Sequence, residues 1–449
     1  MTGLKKTRTL KTCTATLGAA ALLASTMAVS GGFADAAFAS GSPEQLTMAI
    51  AWTGTQAAGV PPLLAIYNKE NPTVHWNLVE NVTEEKLLAE EAASDAPSVA
   101  MLNTTNLVAS MATSTAILPL QPYISSSKLN MDQFTPASLY SNTYLGAQYA
   151  LPFFEDTYGL YYNKTLFQKA GIAGPPTTLS QLAADAKKLT ITGPNGQYTQ
   201  LGFEPTMPKE LEGYLFGGHW ASSTGQVTAT SPLAEKGVEW LVSMEKMFNP
   251  SKVQRFLAGA SGAASSLDPF ATGTVGMDVS GEWFMPTILQ QSPHLDFGAA
   301  PIPYPDGEPQ FADTGSVGGN PLVILKGATD VQASWKLIDW LATAGQVIAT
   351  KNATLFHDIY SVPALKSLVN DPSLAPTPQM AFFWKYSGEK NIQPFPPVPD
   401  ATSYLDAITS AVQDAEVTNI SVQKALEQVQ NQYGPLIAQE IKTARSNAQ

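Results

Sequence analysis

Residues 46–52, Leu-Thr-Met-Ala-Ile-Ala-Trp, alternate in side-chain character and predict a strand that stops at the loop Thr53-Gly54-Thr55. A helix is predicted over 57–71, with Pro61 and Pro62 in its early part and Pro72 as its stop. A second strand over 74–79, a helix over 84–94, a strand over 97–102 and a helix over 105–114 continue the alternation. Strands alternating with helices favour an α/β domain with a mainly parallel sheet, whose ligands sit at the C-terminal strand ends. The loops at 52–55, 80–82 and 103–106 then share one rim.

A second α/β pattern follows. Strands are predicted over 149–152, 159–162, 275–279, 295–300 and 321–325. Helices are predicted over 164–170, 179–189, 232–248 and 331–343, and two amphipathic helices over 404–414 and 422–442 end the chain. No internal repeat interrupts this order.

The N-terminus carries Lys5, Lys6, Arg8 and Lys11, then a small, apolar run over 14–29, then Ala34-Asp35-Ala36 and Ala37-Phe38-Ala39. That layout predicts a secretory signal over 1–39 and an exported protein, periplasmic or at the cell surface. Cys13, the single cysteine, precedes the apolar run, so the expected mature chain has no disulfide. Val29-Ser30-Gly31-Gly32 resembles a lipobox with glycine where cysteine would stand.

Length and charge narrow the function. The 449 residues suffice for two or three domains, and 14% charged residues is low against about 25% in typical chains. Without 1–39 the remainder holds 21 basic and 36 acidic residues, a formal charge of −15. A nucleic-acid partner is excluded by the missing basic footprint. Arg255 and Arg445 alone remain for bidentate clamping of an anion. Four histidines and one cysteine predict neither a metal site nor a metal cofactor. HExxH, CxxC, GxGxxG, the phosphate loop and G-x-S-x-G are all missing. The Ser-x-x-Lys matches at 125–128 and 421–424 lack the companion motifs of a nucleophile site, so no catalytic residue is assigned.

Eight tryptophans stand out. Trp240, Trp335 and Trp340 fall inside amphipathic helices, and Trp76 alternates within a strand, so these four read as core. Trp52, Trp220, Trp283 and Trp384 fall at predicted element ends beside glycine or polar residues. There they suit flat apolar faces, such as the C–H face of a sugar ring.

Four segments together resemble the family 1 extracellular solute-binding proteins of ABC transporters, the maltose-binding-protein-like group. The first is Tyr149-Ala-Leu-Pro-Phe-Phe-Glu-Asp-Thr-Tyr-Gly-Leu-Tyr-Tyr-Asn-Lys164 with Pro175-Pro176-Thr177-Thr178-Leu179. The second is Phe270-Ala-Thr-Gly-Thr-Val-Gly-Met277 with Ser280-Gly281-Glu282-Trp283. The third is Ala300-Pro-Ile-Pro-Tyr-Pro305 with Gly318-Gly319-Asn320, and the fourth Ile420-Ser-Val-Gln-Lys-Ala-Leu426. Departures are Pro97-Ser98-Val99, where relatives more often read Pro-Asp-Val, and the missing lipoprotein cysteine.

The resemblance implies a two-lobe periplasmic-binding-protein-like α/β fold with a hinge and an interlobe ligand cleft. One lobe would comprise 40–153 and 303–355, the other 154–300 and 360–449. It implies a monomer, without cofactor or enzymatic activity, that captures a neutral carbohydrate, an oligosaccharide, for the membrane permease of an ABC importer. Asp156 falls where relatives hold an acid that accepts hydroxyl hydrogen bonds, and Trp283 where they stack an aromatic on the sugar. Glu204 matches a second sugar-binding acid and Trp384 a second stacking aromatic. Trp52, Thr53 and Asn103 should face the cleft, Gly318, Gly319 and Asn320 should bring backbone close to ligand, and Glu282 would touch ligand or cap the next helix. The rival readings are an exported glycan-active enzyme and a receptor for a non-sugar solute such as a polyamine.

Overall fold

The computed structural model describes residues 42–93, 96–260, 267–352, 360–418 and 420–447. The expected signal over 1–39 lies outside the described residues. Strand β1 (Glu44–Ile50) buries Leu46, Met48 and Ile50 and pairs in parallel with β2 (Val74–Val79) and β3 (Val99–Met101). Between them run α1 (Val60–Glu70), with its prolines in the first turn where no amide donor is needed, and α2 (Glu84–Ala92), capped by Thr83. After α3 (Asn106–Thr113) the chain enters β4 (Leu151–Asn163), thirteen residues without a break.

The sequence predicts two strands there, because Glu155-Asp156-Thr157 reads as polar punctuation. Each buried polar group in that stretch has a partner that permits extended backbone. Thr135 Oγ1 donates to Glu155, the Thr157 amide donates to Glu282 Oε2 at 3.0 Å, and Thr157 Oγ1 donates to the Ser316 carbonyl at 2.9 Å.

Helices α4 (Lys164–Ala170) and α5 (Leu179–Leu189) follow, the first capped by Asn163 and the second by a Thr178–Gln181 capping box. Next come α6 (Lys209–Tyr214), α7 (Pro232–Met247), β5 (Met277–Gly281), β6 (Phe297–Ala300) and β7 (Gly315–Ile324). The chain continues through α8 (Val331–Trp340), β8 (Val362–Pro363), α9 (Pro378–Tyr386) and β9 (Ile392–Pro394). It closes with α10 (Ala401–Thr418) and α11 (Val422–Asn447). No described helix is long and apolar enough to cross a membrane.

Strand order is β6-β4-β7-β3-β1-β2, with β5 and β8 also on β4 and β9 on β7. The sheet is mixed rather than mainly parallel: β4 and β7 run antiparallel to each other, β7 to β3, and β5, β6 and β8 to β4. Two apolar cores share β4. Leu151, Phe153 and Phe154 belong to one, with Met48, Leu63, Trp76 and Trp335. Leu160 and Tyr161 belong to the other, with Phe270, Phe284, Phe383 and Trp384. Glu155, Asp156 and Thr157 therefore sit where the chain leaves one core for the other. A third core joins α10 and α11 to Trp220 and Val238.

Opposite that crossing, Gly319 in β7 has φ +150°, and a Cβ there would lie 2.3 Å from the Phe154 carbonyl oxygen. Gly319→Ala is expected to destabilise the chain by about 2–4 kcal/mol. A lower denaturant midpoint at unchanged slope would be the measure.

Candidate functional site

The crossing strands frame a cavity of about 350 Å³. Strand alternation aims neighbouring residues of β4 to opposite faces of the sheet. Asp156 lines this cavity, whereas Glu155 lines a separate, larger hollow of about 1,960 Å³. That hollow is lined by residues around 217–231 and 366–396, among them His219, Lys366, Phe382, Trp384, Lys385 and Glu389 with several serines, threonines, prolines and glycines. The smaller cavity joins the rim loop after β1, through Trp52, to the loop after β3, through Asn103, Thr104, Thr105 and Asn106. Tyr158 from β4, Glu210 from α6 and Trp283 after β5 also line it, and β7 closes the wall with Ser316 to Asn320.

Trp283 owes its position to its neighbours. Gly281 admits the indole against the backbone, since a Cβ at Gly281 would lie 1.9 Å from the Trp283 ring. Tyr158 meets the same ring edge-on, with centroids 5.1 Å apart and an interplanar angle of 83°. The short helix Glu282–Phe284 then turns the chain away from the cavity.

Two carboxyl groups, Asp156 and Glu210, stand on the polar side among amides and hydroxyls. Burial raises Asp156 to about 7 against the opposing effect of a hydrogen bond with Glu282. Burial and the nearby Asp156 raise Glu282 well above the usual carboxylate range. Glu282 itself is fully buried and is not among the lining residues; its Oε2 accepts from the Thr157 amide. That bond joins it to β4 beside Asp156. Asn106 Nδ2 donates to Glu210 Oε1 at 2.9 Å, a bond from α3 to α6 that ties the two sides of the cavity. Asn320, 2% exposed, donates from Nδ2 to the Asn103 carbonyl at 3.3 Å, while its Oδ1 has no donor.

Of the residues singled out from sequence, Trp52, Asn103, Asp156, Trp283, Gly318, Gly319 and Asn320 meet in this cavity. Thr53 is exposed and outside it. Glu204 lies elsewhere, raised to about 7 by burial and by Asp268. Three of the four tryptophans expected at element ends are buried: Trp52, 9% exposed, still lines the cavity, but the other two do not. Trp220 is fully buried in the third core, its indole donating to the Lys209 carbonyl and its ring packed on Gly213. Trp384, 1% exposed, sits inside α9 in the second core rather than at an element end. Trp384→Ala is expected to cost about 3–5 kcal/mol of stability, measured by denaturant unfolding.

Thr104, Thr105 and Asn106 fall on the rim loop expected at 103–106, whereas Tyr158, Glu210, Ser316, Val317, Ser361 and Phe395 are cavity residues that the sequence reading did not single out. Tyr158 follows Asp156 at the spacing that shares a strand face, a signal hidden by reading β4 as two strands. Glu210, in the irregular run Pro208-Lys-Glu-Leu-Glu-Gly213, carries no pattern that separates it from Glu212, which pairs with Lys209 at 2.6 Å.

The sequence profile of the bacterial extracellular solute-binding proteins matches residues 31–348. A binding protein of Brucella abortus (strain 2308) is 28% identical over 202 residues, 44% of this chain and 47% of that protein. The maltotriose-binding protein of Pyrococcus abyssi (strain GE5 / Orsay) is 24% identical over 271 residues, 58% of this chain and 53% of its own. The alignments thus span about half the length of these curated relatives. Among solved structures, CpMnBP1 with mannotriose bound superposes with a TM-score of 0.76 at 26% identity, over 86% of this chain and 99% of that one.

Proposed function

The chain belongs to the bacterial extracellular solute-binding proteins, and from that premise we propose that it captures a carbohydrate outside the cytoplasmic membrane and delivers it to an ABC import permease. Its fold is the two-lobed α/β fold of that family. One observation carries the ligand assignment: a single cavity brings Trp52 of the first core and Trp283, the neighbour of Phe284 in the second, against a wall of polar groups. Indole faces provide apolar area for the C–H side of a sugar ring. Asp156, Glu210 and Asn320 accept hydroxyl hydrogen bonds, and a buried acceptor left without its donor gives discrimination between sugars.

Gly318, Gly319 and Asn320 bring backbone to the ligand, and Glu282 holds the crossing strand in place behind Asp156. The lobes comprise 40–153 with 303–355 and 154–300 with 360–449, and they close by rotation about the crossing strands. The receptor works as a monomer and performs no chemistry on its ligand. Its relatives are binding proteins, which supports that reading. A cavity of about 350 Å³ suits a short sugar, being near the lower end of common ligand pockets of roughly 300–1,000 Å³.

Thermal unfolding against mono-, di- and oligosaccharides tests the proposal. A ligand at 100 times its dissociation constant should add about 2.7 kcal/mol of stability. A response to spermidine and to no sugar would contradict it, as would release of reducing ends from a glycan.

A further inference from the structure

The cavity just described lacks a positive charge where it most needs one. Among the described residues lining it are Asp156 and Glu210, and no lysine, arginine or histidine. Lys209, next to Glu210 in the chain, is held by Glu212 at 2.6 Å. Glu282 adds a third carboxyl, fully buried beside Asp156. Burial pushes both members of that pair upward, Asp156 to about 7 and Glu282, which also feels the nearby Asp156, well above the usual carboxylate range. The Tyr158 hydroxyl is pushed up by burial and by the nearby Glu210, Asp156 and Glu282, and stays a neutral donor.

The second observation is independent of charge. Asn320 is 2% exposed, lines the cavity, and leaves Oδ1 without a donor once Nδ2 is committed to the Asn103 carbonyl. The wall therefore offers two carboxyl groups and an unpaired amide oxygen, and no cationic side chain, inside a partly enclosed space. A hydroxyl supplies one donor and no charge. A protonated amine supplies three donors and the missing charge, and hydrogen bonds to a charged partner are roughly twice as strong. The indoles of Trp52 and Trp283 also attract a cation at their faces. A metal ion is the poorer candidate, because no cluster of three or more His, Cys, Asp or Glu among the described residues has the geometry to hold one.

We propose that the carbohydrate this cavity selects bears a protonated amino group: the ligand is an amino sugar whose ammonium is received among Asp156, Glu210 and Asn320. This rests on the carbohydrate-receptor reading and narrows it. The scarcity of arginine separates anions from other ligands; it does not separate a neutral sugar from a cationic one, and the cavity does.

Titration calorimetry with matched ligands tests the proposal, at a pH where the free amine is protonated. The series is glucosamine against glucose, galactosamine against galactose, mannosamine against mannose, and the β-1,4 disaccharides of glucosamine, N-acetylglucosamine and glucose, with mannotriose as a neutral oligosaccharide. In at least one set the amine should bind tenfold or more tighter than its hydroxyl counterpart, and, for the disaccharides, than its N-acetyl one. Glu210→Gln and Asp156→Asn should each shrink that ratio at least threefold, a readout that general loss of affinity does not move. Equal or tighter binding of the neutral forms, or an unchanged ratio in both variants, overturns the amino-sugar assignment and leaves the receptor reading standing. No binding by any carbohydrate, neutral or amine, overturns both.

Discussion

Trp283→Ala is expected to weaken carbohydrate binding about a hundredfold while the protein still unfolds cooperatively near its normal temperature. Truncating a central stacking tryptophan commonly costs about 2–4 kcal/mol of binding, and every 1.4 kcal/mol is tenfold. Trp283 is only half-buried in the free protein, so its ring face is available for a ligand to cover. The fold should survive because the neighbouring anchor remains: Glu282 still accepts from the Thr157 amide, and Phe284 stays in the second core. Trp283→Phe should recover part of the affinity, since a smaller aromatic face keeps the same support from Tyr158. Calorimetric titration and thermal unfolding on the same preparations measure both halves of the expectation.

The melting temperature should be at least about 5 °C higher at pH 5 than at pH 8. Burial raises Glu155, Glu204 and Glu212 to about 7, in each case against weaker or supporting local effects. Asp156 also reaches about 7, and burial lifts Asp278 and Glu282 well above the ordinary range. A carboxyl whose folded value exceeds its unfolded one binds its proton more tightly in the native state. Its contribution is therefore complete below the unfolded values of about 4 and is lost as pH climbs through about 7.

Among the described residues three groups act in the opposite sense: Glu85 and Asp306, lowered by hydrogen bonds, are exposed, so solvent screening keeps their effect small, and His219, lowered by burial, is one half-buried group against six raised carboxyls. Ion pairs offer little opposition either: among the described residues three are found, and Lys86–Glu90 and Lys164–Asp296 are largely solvent-accessible. A melting temperature that is flat or rises toward pH 8 would contradict this.

Much of the site was legible because periodicity located strand ends and a strand end locates a rim. Trp52 ends the first alternating run and Asn103 follows the third, so both reach the cavity from pattern alone. Asp156, Trp283 and Gly318 to Asn320 came from family resemblance, and they join the same wall. What failed was any inference from composition to burial. Residues 153–158 fell between two predicted strands, but Glu155 and Thr157 find partners distant in sequence inside one continuous strand.

Trp220, after Gly217-Gly218-His219, looked like the tip of a loop. Tertiary packing against Gly213 and Tyr404 decides otherwise, and no local signal reports it. Trp384 sits in a helix that the sequence pattern did not mark, with apolar residues on more than one face: Met380, Phe383, Trp384 and Tyr386 are all buried. The Asn106–Glu210 bond spans 104 residues and is invisible to any local reading.

The most direct test of the central claim is a crystal structure of the protein with the sugar that gives the largest thermal shift. The account predicts a sugar ring against the Trp283 indole, between it and Trp52, with Asp156 or Glu210 within hydrogen-bond distance of the ligand. Sugar bound in the larger hollow beyond Glu155, with the cavity at Trp52 and Trp283 empty, would contradict it.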